Sequence, residues 1–152
     1  MINDNHPLVI SGGTVRAEAR EYLSKADLIL AIGTEMAETD NYVGKYSING
    51  KIVRIDIDDK KIDDSYKATV GLVGDAKETV KKLNAKLNNS VSLEHLESVK
   101  NEVIEIKRQI EENLTISEKR HRKLLTILRE IAPSETIFST DACQLSLSLI
   151  HI

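Results

Sequence analysis

Three short polar tips hold the residues of this sequence best suited to binding chemistry. Gly33-Thr34 follows the apolar run Leu28–Ile32, Asp56 to Asp59 close the run Ile52–Ile57, and Gly74-Asp75 follow Val70–Val73. A carboxylate at the end of such a run can accept hydrogen bonds from both hydroxyls of a ribose. Asp56 is open between that role and a purely local one. Asp58 and Asp59 read as turn residues that cap a short helical turn near Lys60–Asp64. Asp75 stands three residues before Glu78, a capping-box spacing that accounts for it as the start of a helix, with a ligand contact as an added role. No His or further carboxylate is spaced to complete a metal site here, so no metal ligand is assigned. No catalytic residue is assigned either. Cys143 as a nucleophile would need a base that the sequence does not place, and it reads as a buried thiol.

The elements that position these tips follow from the apolar runs themselves. Each is four to six residues long and rich in Ile, Leu and Val, the pattern of strands buried on both faces of a parallel sheet. In open parallel sheets, ligands bind outside the carboxyl ends of the strands, which is where the tips lie. Gly12-Gly13 reads as a turn, with Thr14 as N-cap of a helix from about Val15 to Lys25. The connection Gly33–Gly50 is long against the usual two to six or so residues, which suggests a functional loop or a short helix. Glu35, Glu38 and Asp40 make it acidic.

A helix is expected over Ala76 to about Leu87, and Asn88-Asn89-Ser90 signals a linker. From Leu93 the apolar residues Leu96, Val99, Val103, Ile106 and Ile110 recur at gaps of three and four, one stripe of a long helix capped by Ser92. Ser117 reads as the cap of a second helix, about Glu118–Ile131, ended by Pro133. Glu135–Thr140 reads as a fourth strand, followed by Asp141-Ala142-Cys143-Gln144. The fold class is therefore α/β: a partial Rossmann-like parallel sheet with flanking helices, then a helical linker and one further strand.

Composition sets limits on partners. The chain has 152 residues with 21 Lys and Arg against 24 Asp and Glu, a net charge of −3. Nucleic acid and anionic membrane thus have no electrostatic argument. The single Cys cannot form an internal disulfide, no apolar run approaches the ~20 residues of a membrane span, and the reading is cytoplasmic. With four Tyr, one Phe and no Trp, any core is aliphatic.

The order of the pieces resembles the thiamine-diphosphate-dependent 2-oxoacid enzymes, the family of acetolactate synthase and its decarboxylase relatives. The matching pieces are I-G-T, I-D-I-D, G-D-A with its helix, a helical linker, and S-T-D-x-x-Q. Within that family, I-G-T-E-M-A-E-T-D is most similar to decarboxylases of basic 2-oxo acids. The resemblance implies that residues 1–88 are the second half of a central Rossmann-like domain and 89–133 a helical linker. Residues 134–146 would then begin a thiamine-diphosphate-binding domain. It implies that Gly33, Thr34, Asp56, Ile57, Asp75 and Ala76 line the groove that holds FAD in flavin-containing members, and that Gln144 approaches the thiamine diphosphate. Cys143 and Leu145 depart from the family pattern there. The family also requires a Glu from an amino-terminal domain and a G-D-G…N segment that holds Mg2+; this sequence contains no G-D-G.

The expectation is a fragment of an enzyme that decarboxylates or condenses 2-oxo acids, inactive alone and a homo-oligomer (dimer or tetramer) when intact. The alternative is a free-standing module that binds a nucleotide such as FAD or NAD, or regulates. Residues 147–152, L-S-L-I-H-I, resemble one reading frame of a transposon-derived sequencing adapter and are expected to be a tail without function. Half a sheet would also leave an apolar edge exposed and the chain poorly soluble.

Overall fold

Three consecutive strands pair side by side and in parallel, as the apolar runs require. The computed structural model describes residues 6–10, 12–38, 43–87 and 92–138. Strand β1 is Leu28–Ile32, β2 is Lys51–Asp56 and β3 is Val70–Val73, in the order β1-β2-β3. Leu30 lies opposite Val53 and Val53 opposite Val70; Ile32 meets Ile55, and Ile55 meets Leu72. The ladder runs one bond past each strand. Gly33 N donates to Ile55 O and Gly74 N to Asp56 O, both at 2.8 Å. β2 stops at Asp56, one residue short of the expected end, and Ile57 is left 76% exposed at the bend.

The chain divides into two compact units, Thr14–Leu96 and Met1–Gly13 with Glu97–Ile152. The first holds the sheet, helix α1 (Ala17–Ser24) and helix α2 (Ala76–Leu87). The expected cap at Thr14 is not used. Gly13–Val15 form a 3-10 turn, and α1 begins later, behind Arg16, which makes no side-chain cap bond. The carbonyls of Thr14 and Val15 are taken by the Arg20 guanidinium, at 2.7 and 2.8 Å. That side-chain bridge ties the carbonyls of the turn to α1. α2 begins as its sequence requires, with Glu78 N donating to Asp75 Oδ1 at 3.0 Å. The helical turn after β2 is a 3-10 turn, Asp59–Lys61, capped by Asp58.

Burial on both faces does not hold for every strand. Ile52, Arg54 and Ile55 of central β2 and Ala31 of β1 are buried, yet all four residues of β3 are exposed. β3 is uncovered on both faces, Val70 and Leu72 on one and Gly71 and Val73 on the other. Register places Leu28, Leu30, Ile32, Val53, Val70 and Leu72 on one face. Only the middle of that face, at Ile55, is closed over.

Helix α3 (Leu93–Glu112) starts at Ser92, whose Oγ accepts from His95 N at 3.1 Å. Its predicted stripe is buried at Val103, Ile106 and Ile110, while Leu93 at the start is 84% exposed. Helix α4 is Ile116–Ile131. Its cap is Thr115, two residues before the expected Ser117, because Thr115 and Glu118 complete a reciprocal capping box. Leu114 and Leu125 join the buried positions, and Arg122 of α4 pairs with Glu111 of α3. Of the fourth strand expected over Glu135–Thr140, the described part, residues 135–138, is turn and coil. Its remainder, Gln144 and the tail 147–152 lie outside the described residues, as do residues 88–91 of the linker.

Candidate functional site

Parallel pairing brings the three sequence-selected tips to one edge of the sheet. Thr34 leaves β1, Asp56 and Ile57 end β2, and Asp75 with Ala76 joins β3 to α2. Gly33 turns the chain at φ 55°, a left-handed value that glycine adopts at no steric cost. Three amide groups there are already used. Gly33 N and Gly74 N complete the sheet ladder, and Met36 N donates to Thr34 Oγ1 at 3.1 Å.

The carboxylates are half used. Asp56 Oδ1 accepts from Asp58 N at 3.0 Å, closing the turn after β2, and Asp75 Oδ1 caps α2. The local and the ligand reading of Asp56 are therefore compatible. One oxygen is committed to the fold, and the other has no described partner. The same holds for Asp75. What the side chains at the edge offer a ligand is two carboxylate oxygens and a threonine hydroxyl that can donate. Such an edge suits the hydroxyls of a sugar or polyol.

One cation nearby is engaged. Lys61 reaches from the 3-10 turn to Glu35 at 3.1 Å and to Asp64 at 3.2 Å, tying the segment after β1 to the segment after β2. The hydrogen bonds it donates to Glu35 and then Asp64 raise its pKa, so it stays charged through the neutral range. Among the described residues no group of three His, Cys, Asp or Glu could hold a metal ion.

Beside the tips, a cleft of about 200 Å³ runs along β1 at Ile29, Leu30, Ala31 and Ile32 and is closed by Thr14, Met36 and Tyr46. Four consecutive strand residues alternate faces, so their shared lining means that the cleft follows the unpaired edge of β1. Tyr46 packs against Tyr66 with ring centroids 5.6 Å apart. Burial, then the neighbouring Tyr66, raises the Tyr46 pKa against a smaller lowering by Arg20.

Sequence reasoning missed Arg54. It sits in the middle of an apolar run at 1% exposure, with its guanidinium 2.7 Å from the Thr34 carbonyl. The signal available was a charged residue at an inward position of a central strand, a placement that requires partners.

Fold and tips together define an α/β chain with a Rossmann-like parallel sheet whose polar residues gather at the strands' carboxyl edge. The model of the thiamine pyrophosphate enzyme central domain matches residues 1–83, more than half of the sequence. The chain belongs to the thiamine pyrophosphate enzyme family. It is 30% identical over 140 residues, 92% of its length, to a Pseudomonas aeruginosa protein named "Probable 2-ketoarginine decarboxylase". It is 27% identical over 170 residues, 99% of its length, to a "Probable acetolactate synthase large subunit" of Methanococcus aeolicus. A sulfoacetaldehyde acetyltransferase of Roseovarius nubinhibens is 36% identical over 75 residues, 46% of the chain and 12% of that enzyme. The chain spans about a quarter of the first two relatives, 25% and 28% of their lengths.

Proposed function

We propose that the chain serves as central-domain scaffold in a cytoplasmic thiamine-diphosphate-dependent enzyme that decarboxylates or condenses 2-oxo acids. The observation that carries this reading is the parallel β1-β2-β3 sheet, tips aligned, within the segment that matches the family's central domain. Relatives named for decarboxylation and for acetolactate synthesis support the substrate class. Thiamine diphosphate supplies the electron sink for such chemistry when bound. Residues 1–88 are proposed as central domain and 89–133 as linker. Residues 134–146 would open the cofactor-binding domain, with Gln144 toward the diphosphate. Mg2+ would be held by residues outside this sequence, which has no G-D-G. The intact enzyme is proposed as a homo-oligomer.

Thr34, Asp56 and Asp75, with Gly33, Ile57 and Ala76 shaping the edge, are proposed to face a nucleotide, FAD in a flavin-containing member. The free carboxylate oxygens of Asp56 and Asp75 fit its hydroxylated portion. Titration of the purified chain with FAD, followed by calorimetry, tests the assignment. Binding that weakens in Asp56→Asn and Asp75→Asn supports it; no heat of binding, or equal binding by both variants, refutes it.

A further inference from the structure

A guanidinium is costly to take out of water unless acceptors meet it. Arg54 is buried to 1% exposure in central β2, and among the described residues no carboxylate neutralises it. Its partners are two main-chain carbonyls. Nη2 donates to Thr34 O at 2.7 Å and Nη1 to Tyr66 O at 3.5 Å. Neither carbonyl belongs to a strand. Thr34 opens the connection from β1 to β2, and Tyr66 lies in the approach to β3.

Tyr66 carries the restraint further. Its hydroxyl accepts from Tyr46 N at 2.9 Å and donates to Tyr46 O at 3.3 Å. Tyr46 lies near the far end of the Gly33–Gly50 connection. Both flanks of that connection therefore hang on one buried cation, Thr34 directly and Tyr46 through Tyr66. Between them, buried Met36 is held at φ 50°, a left-handed conformation rare for a residue with a side chain. Such backbone persists only where its surroundings impose it. An apolar side chain could fill the volume of Arg54, but it could not hold two carbonyls on separate segments.

We propose that Arg54 is the positioning residue of the strand-tip site, a buried clamp that fixes the two described ends of the connection between β1 and β2, at Thr34 and at Tyr46, before any ligand arrives. The clamp stands on geometry alone. Only its consequence, that a nucleotide meets a preformed edge with no loop closure, rests on the nucleotide reading above.

NMR-detected amide exchange of the ligand-free chain tests this with Arg54→Lys, Arg54→Met and Tyr66→Phe. Lysine keeps the charge but lacks the fork that spans both carbonyls. In Arg54→Lys the Met36 and Tyr46 amides are expected to exchange about tenfold faster or more, with Ile52 and Thr69 unchanged. Tyr66→Phe is expected to free Tyr46 alone. Arg54→Met should exceed Arg54→Lys at Met36 and Tyr46; if it unfolds, the Lys and Phe variants decide. Unchanged exchange at Met36 and Tyr46 in Arg54→Lys, or an equal rise across all strands, overturns the proposal. FAD titration of the wild-type chain separates the two readings, because absent binding with this exchange pattern intact sinks the nucleotide and keeps the clamp.

Discussion

The amide of Gly74 donates to the carbonyl oxygen of Asp56 at 2.8 Å, so β3 is stitched to β2 at the point where both strands end. That bond places the Asp56 carboxylate beside the turn that carries Asp75. Each Asp then gives one oxygen to its own turn. At this edge one oxygen of each carboxylate has no described partner, while the amides of Gly33 and Gly74 are committed to the sheet.

Asp56→Asn follows from that division. Asparagine keeps an oxygen for Asp58 N and turns the free acceptor into a donor. Affinity for a hydroxylated ligand such as FAD is expected to fall by about 1–2 kcal/mol, roughly five- to thirtyfold, with little change in melting temperature. Calorimetric titration beside a thermal melt checks both halves.

Removing the caps should destabilise each unit separately. Asp75→Ala leaves Glu78 N without its acceptor, and Thr115→Ala dismantles the box with Glu118. Each is expected to cost about 1 kcal/mol, in the sheet unit and in the helical unit respectively. Urea titration followed by amide signals of the two units distinguishes them.

Packing predicts larger effects at two positions. A Cβ at Gly50 would run into the Ala26 carbonyl and the Asp27 backbone, neither of which is a flexible side-chain end. Gly50→Ala should therefore cost about 1–3 kcal/mol. Leu125→Ala, at 1% exposure, should cost about 2–5 kcal/mol in the helical unit. Denaturant midpoints measure both.

The pH response of α3 has a defined sign. Hydrogen bonds from Arg108, then Gln109, hold the Glu105 carboxyl down to about 2 from its usual 4.5. A depressed carboxyl contributes stability that is full above pH 4.5 and is lost as pH falls toward 2. The group is fully exposed, so salt screens the effect. Helical signal at 222 nm should decline across that window in wild type and less in Glu105→Gln, with the difference shrinking in 1 M or so salt.

The open face of the sheet predicts association. Leu28, Leu30 and Val70 share one face and are 53%, 42% and 49% exposed. Leu30→Lys should raise the soluble fraction on expression while leaving the far-ultraviolet spectrum unchanged. Comparison of soluble yields checks it.

The three strands were legible because Ile, Leu and Val runs closed by Gly or Asp have few other solutions. Their parallel order was legible from the same pattern. Capping was legible at Asp75 and Ser92, where one side chain decides. It was not at Thr14, where a 3-10 turn delays the start of α1, nor at Ser117, where the Thr115–Glu118 pair outcompetes the nearer hydroxyl. Burial of β3 was misjudged because an apolar run says what a strand would bury, not whether a neighbour covers it. Arg54 was invisible for the opposite reason: its partners are carbonyls 12 and 20 residues away, which no side-chain pattern reveals.

Carbon dioxide release by the purified chain, supplied with thiamine diphosphate, Mg2+ and either pyruvate or 2-ketoarginine, tests the scaffold assignment most directly. The account predicts no release above the protein-free blank for either 2-oxo acid. Turnover of either one would contradict it.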